Sequence, residues 1–201
     1  MGKKEEIKKL NNQIRNCKKC RLWKNRTNAV PGEGNINSKI MFIGEAPGAK
    51  EDKLGKPFVG ISGRFLDKLF KQNKLKRKDI FITSVVKCRP FKNRNPKPDE
   101  VSVCIKNYLF KQINLIKPKI IVLLGNIALK ALLNKKKMNE VHGKIFIKNK
   151  IKYIPTYHPA AGMRFPKIRK KMIEDFKTLR NSRGISGAQK ISKKFSLEIK
   201  R

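Results

Sequence analysis

The sequence predicts an α/β fold in which a parallel sheet is covered by helices on both faces. Two short apolar runs, IMFIG (40–44) and KIIVLLG (119–125), have the composition of strands that are buried on both sides. Amphipathic helical patterns alternate with such runs along the chain, and this alternation is typical of parallel sheets. A length of 201 residues suits one domain with a sizeable core.

The elements follow one another in a regular order. The spacing of apolar residues predicts strands at 40–44, 79–86 and 119–125 and helices at 3–16, 62–74, 99–116, 126–134 and 166–179. Ser62 is the predicted N-cap of the second helix, and two β-rich runs around Asn149 predict a hairpin. We expect residues 1–180 to form a single domain and residues 181–201 to be a basic, mobile tail.

The charge of the chain points to a polyanionic partner. Lys and Arg number 51 against 14 Asp and Glu, which gives a formal net charge of +37. Such a field attracts nucleic acid first of all, although a general abundance of Lys, Ile and Asn is an alternative explanation. The sequence has neither the apolar stretch of a signal peptide nor a membrane-length run, so we expect an intracellular protein without a membrane partner. No P-loop motif is present, which argues against nucleotide hydrolysis.

Four cysteines suggest a metal site. Cys17 and Cys20 form a C-x2-C pair, and fifteen residues separate Cys88 from Cys104. In a reducing compartment this set suits a tetrahedral Zn²⁺ or an iron–sulfur cluster, and the spacing does not decide between them. The alternative is that Cys88 and Cys104 are ordinary core residues. The position of Cys88 between two basic residues instead favours a stabilised thiolate.

Three unusual segments follow the predicted strands. They are GEAPG (44–48), VVKCRP (85–90) and TYHPA (156–160). Ligands of parallel sheets bind beyond the carboxyl ends of the strands, so these segments should converge on one crevice. Phe58 could stack on a base there or pack in the core, and His158 could donate a hydrogen bond to charge developing on a ligand.

Taken together, these motifs resemble those of the family 4 uracil-DNA glycosylases, which are iron–sulfur members of the uracil-DNA glycosylase superfamily. The matching segments are GEAPG, ED (51–52), GKPFVGISG (55–63), KCRP (87–90), NRNP (93–96) and HPAAGMR (158–164), with the cysteines in the same order. The resemblance runs from Cys17 to Leu179. It implies a three-layer α/β/α sandwich with a central four-stranded parallel sheet.

The resemblance also implies a cofactor and an activity. It assigns a structural 4Fe–4S cluster to Cys17, Cys20, Cys88 and Cys104. It implies a monofunctional enzyme that flips uracil out of single- or double-stranded DNA and hydrolyses its N-glycosidic bond. The abasic site that remains starts base-excision repair. We expect the enzyme to act as a monomer.

By position, Glu45 and His158 correspond to catalytic residues. Glu45 would either steer water to the sugar carbon or stabilise positive charge on the sugar, and His158 would contact uracil O2. Phe58 would stack on the flipped uracil, and Glu51 would crowd its C5 edge, where thymine carries a methyl group. Asn93 would support the site.

The remaining correspondences concern contacts with the base and the DNA. Gly44, Ala46 and Ser84 would bind the base, and Met163 and Arg164 would lie on a loop that enters the duplex.

Two positions differ from the residues common in the family, and a third is expected to make the 158–164 loop more flexible than usual. Many family members have Asn where this chain has Ser84, and a hydroxyl cannot span uracil N3–H and O4 as an amide can. Met163 stands where Leu is common, and Gly162 predicts a flexible loop. An altered-specificity or non-catalytic iron–sulfur protein that binds damaged DNA is therefore the alternative function. A zinc-dependent RNA-binding protein is a further alternative.

Overall fold

A six-stranded sheet forms the centre of the structure, a computed structural model that describes residues 2–135 and 137–183. The strands are β1 (Glu33–Gly34), β2 (Ile40–Gly44), β3 (Phe81–Ser84), β4 (Ile120–Leu124), β5 (Phe146–Lys148) and β6 (Ile151–Thr156). Their order is β1-β3-β2-β4-β6-β5. The four inner strands are parallel, as predicted, and the two edge strands pair antiparallel with their neighbours.

Helices flank this sheet and complete the predicted three layers. They are α1 (Lys3–Arg15), α2 (Ala49–Leu54), α3 (Ile61–Gln72), α4 (Pro98–Cys104), α5 (Phe110–Ile116), α6 (Asn126–Leu133), α7 (Met138–Val141), α8 (Pro159–Arg164) and α9 (Pro166–Arg183). Within the described ranges, none of them has both the length and the apolar character that crossing a membrane requires.

The parallel register brings the strand ends together. Every residue of β2 and β4 is buried, as expected for inner strands covered on both faces. Gly44 pairs with Ser84, and Leu124 pairs with Thr156. The chain stays paired beyond β2 and β3, because Val85 N donates to Gly44 O at 2.9 Å. The predicted segments 44–48, 85–90 and 156–160 therefore leave the same edge of the sheet.

The backbone confirms the predicted hairpin around Asn149 and adds detail to two predicted helices. Asn149 and Lys150 both have positive φ angles, 51° and 62°, as the tight hairpin between β5 and β6 requires. The predicted helix 99–116 contains a π-helical turn (Ile105–Leu109) that begins directly after Cys104. The last helix continues to Arg183, and residues 184–201 of the predicted tail lie outside the described residues.

Two local predictions were wrong. Helix α3 begins at Ile61 with Gly60 as its N-cap, not with Ser62. The segment HPAAGMR forms the short helix α8 instead of a loop, because Pro159 occupies its first turn and His158 caps it. Gly162 does not add flexibility there. It is buried, and a Cβ at this position would lie 2.6 Å from Met172 Sδ and 2.9 Å from Phe65 Cε1, so it permits close helix packing.

Candidate active site

A pocket of about 620 Å³ opens at the carboxyl ends of the inner strands. It is walled by the three predicted segments, by the start of α3 and by α8. The predicted site residues that line it are Glu45, Ala46, Glu51, Phe58, Ser84, Asn93, His158 and Arg164. The crevice that the strand-end rule predicted is thus present.

Phe58 forms part of the pocket wall and is also packed against the sheet. Its side chain is 7% exposed, and a Cβ on Gly44 would lie only 2.5 Å from Phe58 Cζ. Gly44 therefore contributes by letting the ring lie against the end of β2. The two predicted roles of Phe58, core packing and base stacking, are compatible in this geometry.

His158 follows β6 and lies beside Phe58, with ring centroids 6.0 Å apart. Burial lowers the pKa of His158 to about 4, and the charge of Glu51 opposes this shift. The imidazole is therefore neutral near pH 7. Its Nδ1 accepts a hydrogen bond from Ala160 N at 3.3 Å, so the proton of the neutral ring lies on Nε2.

Glu45 and Glu51 are the two carboxylates of the pocket, and their environments differ. Burial away from water raises the pKa of Glu45. Glu51 Oε1 accepts hydrogen bonds from Val59 N at 2.9 Å and Gly60 N at 2.7 Å. Glu51 thus holds the loop that carries Phe58, in addition to lining the pocket.

Ser84 faces the pocket from the end of β3, and Asn93 faces it from the loop that follows this strand. Ser84 is 5% exposed at the end of β3. Asn93 has a φ of 57°, and its Oδ1 accepts a hydrogen bond from Arg89 Nε at 2.8 Å. The amide Nδ2 of Asn93 can donate to a ligand, and Oδ1 keeps a second lone pair.

Helix α8 carries the predicted DNA-contacting residues. Arg164 lines the pocket, whereas Met163 is half-buried and lies outside the set of described lining residues. Phe165, which follows them, is 50% exposed. The DNA contacts of Met163 and Arg164 remain predictions.

All four cysteines line a second, narrow cavity of about 10 Å³. Cys17 and Cys20 are half-buried, and Cys88 and Cys104 are each 7% exposed. The rest of the lining is mostly apolar and consists of Ile14, Leu22, Val86, Lys87, Val103 and Tyr108. Within residues 2–135 and 137–183, no group of three or more His, Cys, Asp or Glu side chains is arranged to hold a metal ion.

The thiols lie in surroundings that disfavour free thiolates. Burial raises the pKa of Cys20 and Cys88, and it raises that of Cys104 to about 12. Two donors nevertheless point at sulfur: Arg26 Nη1 lies 2.9 Å from Cys88 Sγ, and Lys19 N lies 3.4 Å from Cys17 Sγ. A cationic group bound between the sulfurs would supply the stabilisation that thiolates need here.

The basic neighbour Lys87 lines the cysteine cavity, and its charge favours the ionised thiols of Cys88 and Cys104. This lysine is 1% exposed and points into the core. Its Nζ donates to Thr83 Oγ1 and to Ser84 O, both at 2.6 Å, and burial lowers its pKa to about 8. Lys87 therefore fixes the end of β3 beneath the pocket.

The family model described as "Uracil DNA glycosylase superfamily" matches residues 31–179. This chain belongs to that superfamily.

Three curated relatives place the chain among the type-4 members of the superfamily. The "Type-4 uracil-DNA glycosylase" of Saccharolobus solfataricus is 48% identical over 180 residues, which cover 85% of this chain and 83% of that protein. The protein of the same name from Sulfurisphaera tokodaii is 46% identical, covering 88% and 84%. That of Archaeoglobus fulgidus is 40% identical, covering 87% and 92%. The predicted family is confirmed.

Arg94 is a pocket residue to which the sequence alone assigned no role. Arg94 lines the pocket and forms a two-pronged ion pair with the buried Glu100, at 2.9 and 2.7 Å. Glu100 also accepts from Lys97 N at 2.7 Å at the start of α4. The available signal was that Arg94 directly follows Asn93 in NRNP.

Proposed function

We propose that this chain removes uracil from DNA by hydrolysing the N-glycosidic bond. The observation that carries the proposal is the shared pocket of Phe58, His158 and Glu45 in a chain 40–48% identical to type-4 uracil-DNA glycosylases. A binding protein without activity is not favoured, because the pocket holds both the uncharged donor His158 and the half-buried carboxylate of Glu45.

Recognition begins with a base outside the helix. A paired base is out of reach, so it must be flipped into the pocket at a cost of a few kcal/mol. Stacking on an aromatic ring is worth about 1–3 kcal/mol per base and offsets much of that cost. Phe58 would provide this ring, and Ser84 and Asn93 would hydrogen-bond the polar edge of the base.

Cleavage breaks the bond between the base nitrogen and the sugar carbon, and the electron pair leaves with uracil. The Nε2–H of neutral His158 would donate a hydrogen bond to the uracil oxygen on which negative charge develops. Water then forms the new bond to the sugar carbon. The Glu45 carboxylate, made more basic by burial, would accept the proton of that water.

We propose that Cys17, Cys20, Cys88 and Cys104 hold a 4Fe–4S cluster. Four cysteines around one cavity can supply the four thiolates that such a cluster takes, and their order in the chain resembles that of the iron–sulfur glycosylases. The cluster would cross-link the segment after α1, the loop after β3 and the end of α4, and it would take no part in the reaction.

The DNA partner follows from the charge of +37, which favours phosphate contacts. Arg164 and Met163 on α8 would approach the strands beside the flipped nucleotide. We propose that the chain acts as a monomer. With DNA as substrate, its place of action is inside the cell.

The test uses single-stranded and duplex oligonucleotides that contain one uracil, hypoxanthine or mispaired thymine. After incubation with the purified chain, alkali converts abasic sites into strand breaks. Uracil-dependent breaks are expected with both strand forms, and their absence at low and moderate salt would refute the activity. Tight binding without breaks would support the non-catalytic alternative.

A further inference from the structure

The backbone of the residue proposed to stack on uracil adopts an uncommon conformation. Phe58 has a φ of 51°, in the left-handed region that bulky residues rarely adopt. Such a conformation persists only where the surroundings hold it. The groups that hold Phe58 therefore set the position of its ring.

Two side chains hold the loop from opposite ends. On the downstream side, Glu51 accepts from Val59 N and Gly60 N at 2.9 and 2.7 Å. On the upstream side, Arg77 Nη1 donates to Phe58 O at 3.2 Å and Arg77 Nη2 donates to Pro57 O. The strained peptide thus lies between a carboxylate and a guanidinium.

Arg77 lies behind this loop and is itself fixed. It begins a short 3-10 helix (Arg77–Asp79) before β3 and does not belong to the described lining of the pocket. Its Nη1 lies 2.9 Å from Asp67 Oδ1 on α3, and its Nε lies 3.7 Å from Glu33 Oε1 on β1. The guanidinium therefore connects the Phe58 loop to a helix and to the sheet edge.

The Phe58 peptide and ring lie in close contact with α3 and with the end of β2. A Cβ on Gly63 would lie 1.8 Å from Phe58 O, so the carbonyl sits directly against α3. The ring lies against Gly44 in the same manner. Loss of the two Arg77 hydrogen bonds would let the Phe58 backbone relax towards an ordinary, negative φ. The Phe58 ring would then move away from its position against Gly44.

We propose that Arg77 is a positioning residue that fixes the Phe58 ring for base stacking. This inference rests on the proposed function, since it requires that uracil stacks on Phe58. Arg77 would act entirely through Phe58 and would not touch the base.

The test is a double-mutant cycle on base discrimination. The readout is the ratio of Kd for a thymine oligonucleotide to Kd for the same oligonucleotide with uncleavable 2′-fluorodeoxyuridine. We expect R77M to reduce this ratio by about 10- to 100-fold, as displacement of a positioned group does. In the F58A background the same change should alter the ratio by less than about twofold, because coupled residues are non-additive.

Two further variants serve as a control and as a replacement for R77M. Arg183 also donates to main-chain carbonyls, of Asn73 and Lys74, so R183M removes a comparable guanidinium and should leave the ratio unchanged. If R77M melts below the assay temperature, R77K replaces it in the cycle, because lysine keeps the charge but not the fork.

The outcomes separate the inference from the function it rests on. An unchanged ratio in the folded Arg77 variant, or an equal loss with and without Phe58, would overturn the role of Arg77. A wild-type chain that does not distinguish the two oligonucleotides would refute the proposed function instead.

Discussion

The rings of Phe58 and His158 lie side by side in the pocket wall, with centroids 6.0 Å apart and planes inclined by 32°. In the proposed function, a base stacked on Phe58 would lie beside His158. One arrangement of the two rings would then serve both base binding and hydrogen bonding to the leaving base.

Replacement of His158 by Ala tests this contact. Loss of a preorganised donor to a developing negative charge lowers kcat by about 10²–10³. We expect a loss of that size for H158A, with little change in affinity for uracil-containing DNA. Single-turnover excision and gel-shift binding measure the two quantities. A rate within a few-fold of the wild type would contradict the role.

Glu45 should produce an acid limb in the pH profile of excision. Burial raises its pKa above the ordinary 4.5, and the protonated acid cannot accept a proton from water. The rate should therefore fall as pH decreases through that raised pKa, and E45Q should lose both the limb and most of the rate. His158 titrates near pH 4, so a limb near pH 6.5 in E45Q would contradict this assignment.

Ser84 should limit the preference for uracil. An Asn at this position would offer both a donor and an acceptor to the base, and a good two-point contact is worth about 1–3 kcal/mol. We expect S84N to raise the ratio of kcat/KM for uracil over hypoxanthine by about tenfold. Ser62 also lines the pocket, so S62N is the matched control and should leave this ratio unchanged. Equal effects of the two variants would refute a specific role of Ser84.

The cysteines should bind about four iron and four sulfide ions per chain as a 4Fe–4S cluster. Replacement of any one of Cys17, Cys20, Cys88 or Cys104 by Ser should abolish broad visible absorption and lower the melting temperature. Tyr108 lines the same cavity without contributing a sulfur, so Y108F should stay coloured. A colourless wild type with one bound zinc would contradict the cluster.

Phe91 should strengthen binding to single-stranded DNA. Its side chain is 59% exposed on the loop that supplies Pro90 and Asn93 to the pocket. Stacking on a neighbouring base is worth about 1–3 kcal/mol, so F91A should weaken binding by about fivefold or more. The dependence of affinity on salt should stay the same, because no phosphate contact is lost.

The control for Phe91 is Phe110, which is 49% exposed on α5. F110A should leave DNA affinity unchanged. K92A should instead lower the salt dependence, because it removes a charge next to Phe91. Equal losses in F91A and F110A would mean that exposure alone, and not the position beside the pocket, determines the effect.

The inner sheet and the location of the pocket could be predicted from sequence. Runs such as 40–44 and 119–125 are apolar because inner strands are buried on both faces, and parallel strands present their following segments at one edge. The shared cavity of the four cysteines was likewise expected from their number and the C-x2-C pair.

The features that sequence did not reveal depend on contacts between distant residues. The carboxylate of Glu51 accepts hydrogen bonds from the amides eight and nine residues away, just before α3, and the helix begins at Ile61 with Gly60 as its N-cap. Lysine is rarely buried, and the oxygens of Thr83 and Ser84, which accept hydrogen bonds from Nζ, stabilise Lys87 in the core. The role of Arg77 arises from the φ angle of Phe58, which no sequence pattern indicates.

The most direct test of the account is the release of free uracil from a uracil-containing oligonucleotide by the purified wild-type chain. Chromatography of the products should detect one free uracil per substrate uracil, and the DNA backbone should stay intact until alkali is added. F58A should release uracil much more slowly under the same conditions. No free uracil, or strand breakage before alkali, would contradict hydrolysis of the glycosidic bond in this pocket.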